Sequence, residues 1–245
     1  RRGGRLLGMK LTVLGCSGSY PGVGMACSGY LVRTEATTIW LDAGTGTMAN
    51  LQRHVDPGDV DAVILTHGHV DHYSDVLSFS VALQYYLDRP KVAVYGPADV
   101  MELLDRRKEH VVTHAVGDGD EVEIGDVSAR FSSTVHSTPT VAVRLDAGGR
   151  SIAYSSDTGP EWSLSSLGDG FDLALVEATF LQDHEGSSPH LSARQAGLTA
   201  KEAGAKRLLL THLAPVTDRE LAGAEARAAY GGDVDLAVEN QSYEL

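Results

Sequence analysis

Residues 65–73, LTHGHVDHY, place three imidazoles and a carboxylate within six positions: His67, His69, Asp71 and His72. Neutral imidazole and carboxylate oxygen are ligands that zinc and similar borderline ions select. Alternate side chains of an extended backbone share a face, so His67, His69 and Asp71 are expected to converge on one point, provided no helix intervenes. His72 follows at once and must aim elsewhere. Two adjacent ligands aimed at different places suit two ions, about 3.5–4 Å apart, better than one. A pair of ions needs further donors, and three candidates close apolar runs: His136 after ARFSSTV, Asp157 after SIAYSS and His212 after RLLLT. Strand ends are where functional side chains gather in open α/β folds.

The elements that must carry these residues are readable from periodicity. VDAVILTH (60–67) is a nearly continuous apolar run, the mark of a strand buried on both faces, and it delivers His67 at its end. KLTVLG (10–15), GYLVR (29–33) and TTIWLDAG (37–44) precede it as a meander. HYSDVLSFSVALQYYL (72–87) is long enough for a helix and free of proline and glycine; KVAVYG (91–96) reads as a strand and PADVMELLDRRKEH (97–110) as a helix entered at Pro97. The second half repeats the scheme. Paired strands are expected over 120–136 and a hairpin turning at AGG over 140–157, then a buried strand at 171–179, a helix over 192–204, a strand at 207–212 and a final helix over 218–230. The echo of LTH at 65–67 and 210–212 suggests two related halves facing one site. Strands first and helices between, given twice, suggest two sheets face to face with helices outside, although periodicity alone does not select this over another α/β layering.

At 245 residues one domain is expected, over residues 9–245, with residues 1–8 (RRGGRLLG) read as a tag or disordered extension. The net charge of -13 argues against a protein whose main task is gripping a phosphate backbone, yet leaves room for a small anionic substrate. Apolar runs such as LLL at 208–210 are far too short to span a bilayer, and no signal segment opens the chain, so a cytoplasmic protein with no membrane partner is expected. Cys16 and Cys27 make neither a disulfide framework nor a thiolate zinc site and read as free, buried or half-buried thiols of a reducing compartment. His54, His110, His114 and His184 sit in polar contexts and are expected to be solvated; Tyr85 and Tyr86 are expected in the core, with stacking on a base as the alternative. GCSGS (15–19) reads as a turn needed for folding, with the alternative that its amides, Ser17 or Ser19 touch a phosphate.

HGHVDH matches the HxHxDH signature of the metallo-β-lactamase superfamily, and His136, Asp157 and His212 follow in the order of that family's remaining ligands; the resemblance spans residues 10–245. It implies a four-layered αβ/βα sandwich with the site at the rim between the sheets. It also implies two divalent ions, zinc or manganese, one on His67, His69 and His136, the other on Asp71, His72 and His212, with Asp157 bridging. By the same resemblance Asp42 orders the metal loop.

Within the superfamily the chain resembles the tRNase Z and related phosphodiesterase branch. The stretches that carry this are KLTVLGCSGSYPGVGMACSGYLV (10–32), KVAVYGPADV (91–100), LVEATF (175–180) and HLSARQAG (190–197). The likeness implies that His190, backed by Glu177, protonates a leaving alkoxide and that Asp71 orients the attacking water, making all three catalytic. In tRNase Z a substrate-gripping arm lies between the equivalents of His136 and Asp157, whereas here 20 residues separate them. With the acidic charge, this implies a small phosphodiester substrate, such as the 3',5'-cyclic nucleotide cAMP. The other expectations are tRNase Z-like 3' RNA processing and a thioesterase or lactonase of the same superfamily. Members of this branch often form homodimers, and nothing in the sequence shows an interface.

Overall fold

The computed structural model describes residues 8–87, 89, 91–104 and 110–245. Two seven-stranded sheets pack face to face, with helices on both outer surfaces. The first sheet is built from β1 (Lys10–Gly15), β2 (Gly29–Arg33), β3 (Thr38–Ala43), β4 (Ala62–Ile64), β5 (Val92–Gly96) and β6 (Val111–Ala115). The C-terminal strand β14 (Ser242–Glu244) returns to pair with β1, giving the order β14-β1-β2-β3-β4-β5-β6. The second holds β7 (Glu121–Ile124), β8 (Val127–Ser133), β9 (Val141–Ala147), β10 (Arg150–Tyr154), β11 (Leu173–Glu177), β12 (Leu208–Thr211) and β13 (Val234–Leu236) in the order β13-β12-β11-β10-β9-β8-β7.

Strand alternation explains the layering. Leu11, Val13, Ile39, Leu41 and Ile64 of the first sheet meet Phe131, Val143, Leu145, Ile152, Leu175 and Leu209 of the second in one central core. Their neighbours point outward. Leu31, Trp40 and Val63 pack under Val76, Phe79 and Leu83 of α2 (Val70–Tyr85) and under Val100 and Leu104 of α3 (Ala98–Leu104). On the far side Ala153, Val176, Leu208 and Leu210 lie beneath Ala196 and Ala200 of α4 (Ala193–Glu202) and Ala222 and Ala226 of α5 (Arg219–Tyr230). A short helix, α1 (Thr47–Leu51), follows β3.

Both sheets share one plan, an antiparallel meander followed by parallel strands: β3 to β6 in the first and β10 to β13 in the second. Parallel strands end on the same edge, and these two edges meet where the histidines lie. The LTH echo does not survive as an equivalence. His67 follows the parallel strand next to the meander in one sheet, while His212 follows β12, one strand further out, in the other.

The β9–β10 hairpin turns on Gly148 (φ 57) and Gly149 (φ 74), as a two-residue turn with both central residues left-handed requires. The helix expected over 97–110 is described as α3, and residues 105–109 lie outside the described residues, as does the N-terminal extension at 1–7. Among the described α-helices and strands, four were not read from the sequence: α1, β6, β13 and β14. Both β13 and β14 have three residues, too few for alternation to register. Tyr85 and Tyr86 are 67% and 83% exposed, against the expectation of core. The buried face of α2 runs through Val76, Phe79 and Leu83, which turns the end of the helix to solvent. Fourteen residues of helix also set Tyr85 about 21 Å from Asp71, out of reach of any base at the site. Cys16 and Cys27 are free and buried, and burial pushes the Cys16 thiol up to about 11. Among the described residues no helix is long and apolar enough to cross a membrane.

Candidate metal centre and active site

Past β4 the chain stays extended through Leu65 and Thr66, held on both sides: Leu65 N donates to Tyr95 O, and Val141 N of the second sheet donates to Thr66 O. His67 therefore projects between the sheets. His69 is the N-cap of α2, which begins at Val70. This corrects the expected convergence of His67, His69 and Asp71 on one face. The helix intervenes, so Asp71 and His72 occupy its first turn and swing away from the strand's face. The outcome is two main donor groups, His67, His69, His136 and Asp157 in one and Asp71, His72 and His212 in the other, with a third, Asp157, His190 and His212, overlapping both; donor atoms lie within 4.8 Å of one another in each.

Asp157 stands between the groups. Its Oδ2 lies 3.7 Å from His67 Nε2, 3.8 Å from His136 Nε2 and 3.4 Å from His212 Nε2, and its Oδ1 lies 3.3 Å from His72 Nε2. His69 Nδ1 faces His67 Nε2 at 3.1 Å and His136 Nε2 at 3.2 Å; Asp71 Oδ2 is 3.3 Å from His212 Nε2. Two of these inward atoms, His72 Nε2 and Asp157 Oδ1, are buried with no hydrogen-bond partner. Leaving such groups unsatisfied costs about 1–3 kcal/mol each, which coordination of a cation would offset. The donor set thus fits divalent metal.

The outward nitrogens are spoken for, which fixes each ring. His72 Nδ1 donates to Asp42 Oδ2 at 2.7 Å, His212 Nδ1 to Thr179 Oγ1 at 2.9 Å, and His136 Nδ1 to Pro189 O at 3.1 Å. Nδ1 of His67 meets Thr66 Oγ1 at 3.1 Å, and that hydroxyl donates in turn to Asp42. Partners of this kind orient metal-binding imidazoles and leave Nε2 as the ligand atom. Asp42 is fully buried and accepts from Thr66 N, Thr66 Oγ1, His72 Nδ1 and Tyr154 OH.

Burial and the carboxylates packed among the rings set the electrostatics of the cluster. Burial and the neighbouring His72 hold His67 well below the usual imidazole range, hence neutral. Burial would lower His72 too, but Asp157 and Asp42 raise it well above. Asp157 resists burial because His212 and His72 favour its charged form.

Glu177 closes β11 and is wholly buried. Its Oε1 accepts from Thr158 N and from His190 Nδ1, each at 2.9 Å, and its Oε2 from Thr179 N and Oγ1. Burial opposes the charged imidazole, but the Glu177 carboxylate prevails and pushes His190 up to about 9. His190 stacks on His212 (centroids 5.6 Å, planes 18° apart), and a capping box between Ser192 and Gln195 fixes the entry of α4 behind it.

The donors open on a cleft of about 400 Å³ lined by Ser19, Gly68, His69, Val70, Asp71, Asp157 and His190, with no lysine or arginine in the lining among the described residues. All nine predicted site residues therefore gather at one rim. The four other histidines do not: His54 bonds Asn240, His114 stacks on Tyr95, His184 pairs with Asp183, and His110 lies at the start of β6. Thr66, Tyr154 and Thr179, which hold the ligands from behind, were given no role by the sequence. Their only signal is adjacency to a ligand or a strand end, which many ordinary strand residues share.

The chain matches the family described as Beta-lactamase superfamily domain over residues 37–213. It is 36% identical to the uncharacterized protein Rv1339 of Mycobacterium tuberculosis, across 99% of this chain and 94% of that one. It is similar to the probable metallo-hydrolase YhfI of Bacillus subtilis, whose crystal structure superposes with a TM-score of 0.92 at 30% identity, covering 97% and 99% of the two chains. It is also 30% identical to ribonuclease Z of Methanopyrus kandleri, across 89% of this chain and 91% of that one. The matched span runs from β3 through His212 and so takes in all seven candidate ligands, and with that span the chain belongs to the beta-lactamase superfamily, as a metallo-hydrolase.

Proposed function

We propose that this protein is a phosphodiesterase that uses two divalent ions, zinc or manganese, to hydrolyse a small phosphodiester, with 3',5'-cyclic AMP as the leading candidate. One observation carries the reading: His190, held by Glu177 at 2.9 Å, opens onto the same cleft as the two donor groups. A phosphodiester leaving as an alkoxide needs a proton donor, whereas a thioester leaving as a thiolate does not.

His67, His69 and His136 would hold one ion and Asp71, His72 and His212 the other, with Asp157 standing between them. When bound, the ions supply a water activated near neutral pH and neutralise charge gathering on the phosphoryl oxygens. Asp71 orients that water from the first turn of α2. His190 gives its proton to the departing ribose oxygen, and Glu177, which accepts the Nδ1–H, stabilises the imidazolium before transfer and fixes the ring's direction. Thr179 joins Glu177 to His212, so the proton donor and a metal ligand share one buried scaffold.

Substrate size follows from charge. Among the described residues the lining lacks lysine and arginine, and the chain carries a net charge of -13, which disfavours a run of phosphates. Between His136 and Asp157 stands only the β9–β10 hairpin. Likeness to a ribonuclease Z favours 3' RNA processing as the second reading. Two buried free thiols suit a cytoplasmic enzyme.

The test is turnover of cyclic AMP, an unstructured precursor tRNA, bis(p-nitrophenyl) phosphate, an acyl thioester and a lactone, with zinc or manganese supplied and then chelated. Chelator-sensitive cleavage of cyclic AMP is expected. Cleavage of the tRNA alone supports the second reading, and turnover of the carbonyl substrates alone ends the phosphodiesterase reading.

A further inference from the structure

Among the described residues, five that are not glycine have left-handed backbones: Ser19 (φ 63), Asp42 (φ 53), Ser156 (φ 52), His212 (φ 55) and Asn240 (φ 64). Three have a reason at the metal centre. Asp42 holds His72, Ser156 precedes Asp157, and His212 is a donor. Asn240 is of a type that tolerates this conformation. Ser19 is exposed, and its shape is that of a tight three-residue turn closed by Tyr20 N donating to Gly18 O at 2.7 Å, a conformation glycine would adopt freely and serine adopts under strain. Backbone strain kept where packing does not demand it points to function.

The segment around Ser19 is pinned to the donors. Ser17 bridges both Cys27 and Leu213, Ser17 Oγ donates to Tyr20 O at 2.8 Å, and Gly18 N donates to Leu213 O at 3.0 Å. A Cβ on Gly18 would sit 2.4 Å from the His212 carbonyl oxygen and 2.9 Å from His212 Nδ1, so only glycine lets the loop press so closely on this donor. Ser19 is thus held in fixed register with His212 and lines the cleft beside His69, Asp71, Asp157 and His190. The hydroxyl of Ser17 and the amides of Gly18 and Tyr20 are engaged, whereas among the described residues no group bonds to the hydroxyl or amide of Ser19. Beside His190 and the metal donors, an anion in the cleft would find two further donors on Ser19.

We propose that Ser19 is a substrate-binding residue whose hydroxyl and backbone amide hydrogen-bond a non-bridging oxygen of the phosphoryl group. The assignment rests on the phosphodiesterase reading for its substrate. It replaces the expectation that GCSGS is a turn serving only the fold.

The test compares Ser19→Gly, Ser19→Asn and Ser19→Asp in the metal-loaded protein by three readouts: metal content, kcat and KM for bis(p-nitrophenyl) phosphate and cyclic AMP, and calorimetric affinity for inorganic phosphate. Glycine keeps the backbone and removes the hydroxyl; asparagine tolerates the backbone and restores an N–H donor; aspartate has asparagine's shape with a repelling charge. Ser19→Gly is expected to keep its metal but lose roughly ten- to a hundredfold in kcat/KM, with phosphate binding weakened in parallel. Ser19→Asn should recover part of both, and Ser19→Asp should fall below Ser19→Gly. Ser19→Gly within about twofold of wild type in both readouts overturns the proposal, as does Ser19→Asn no better than Ser19→Asp. Wild type that turns over no diester but binds phosphate through Ser19 ends the phosphodiesterase reading alone. Wild type that does not bind phosphate at all overturns the proposal as well.

Discussion

Asp42→Asn isolates the proton that fixes His72. Asparagine tolerates the left-handed backbone at this position as aspartate does, and its shape is the same, so the change is one oxygen to N–H₂. Oδ1 accepts from Thr66 N at 2.8 Å, and Oδ2 accepts from His72 Nδ1 at 2.7 Å, Tyr154 OH at 2.9 Å and Thr66 Oγ1 at 3.0 Å. Either orientation of the new amide sets N–H against N–H, at the Thr66 backbone or at His72. The backbone cannot reverse. The imidazole can, by moving its proton from Nδ1 to Nε2, and that proton then blocks the nitrogen that faces Asp157 at 3.3 Å.

The second donor group should therefore lose about ten- to a hundredfold in metal affinity, or about 1.4–2.8 kcal/mol, while His67, His69 and His136 keep their ion. The metal-free protein should melt roughly 2–10 °C lower because a buried donor has lost its acceptor. Equilibrium dialysis against buffered zinc with elemental analysis reads the first quantity, and nitrogen-15 NMR of the histidine rings reads the tautomer. Two ions held at wild-type affinity, or a His72 still protonated at Nδ1, would refute the reasoning.

Three further outcomes follow from particular contacts. His190→Ala should slow cyclic AMP hydrolysis by about 10²–10⁴-fold but affect bis(p-nitrophenyl) phosphate far less, since nitrophenolate departs without a proton; equal losses on both remove the acid role. Gly18→Ala should destabilise the protein by roughly 1–3 kcal/mol and loosen the metal held by His212, because its Cβ would lie 2.4 Å from the His212 carbonyl; an unchanged melting curve counts against the pinned loop. At the opposite end of the sandwich, Asp126 Oδ1 accepts from Thr34 Oγ1 and Thr37 Oγ1, both at 2.6 Å. Slight burial pushes its carboxyl up, but the two hydroxyls push it further down, below its ordinary value. A depressed folded-state pKa stabilises fully above the unfolded value of about 3.9 and is lost as pH falls through the folded one. Urea unfolding should show Asp126→Asn weaker by up to about 1 kcal/mol at pH 7, with the gap closing below about pH 4; a gap independent of pH contradicts the assignment.

His67, His136, Asp157 and His212 stood out as candidates because each ends an apolar run, while the full set came from the HGHVDH resemblance. The start of α2 was not legible. Its N-cap is His69, which makes no side-chain capping bond, so the usual serine, threonine or aspartate signal is missing and Asp71 reads as part of the strand. The left-handed backbones at Asp42, Ser156, His212 and Ser19 were equally hidden, because a non-glycine residue gives no local sign of positive φ. Tyr154 and Thr179 act through distant partners, Asp42 lying 112 positions from the first and His212 lying 33 from the second, and a sequence carries no record of such pairings. Strand alternation suggested two packed sheets without selecting that layering over another, and the family resemblance supplied the sandwich.

The central claim is that two donor groups act together on one phosphodiester. Metal-free protein titrated with zinc or manganese, with cyclic AMP hydrolysis followed at each addition, tests it most directly. Activity should be negligible at first, rise steeply between the first and second equivalents and level off at two. Full activity at one equivalent, or no hydrolysis of the cyclic diester with both equivalents bound, would contradict the account.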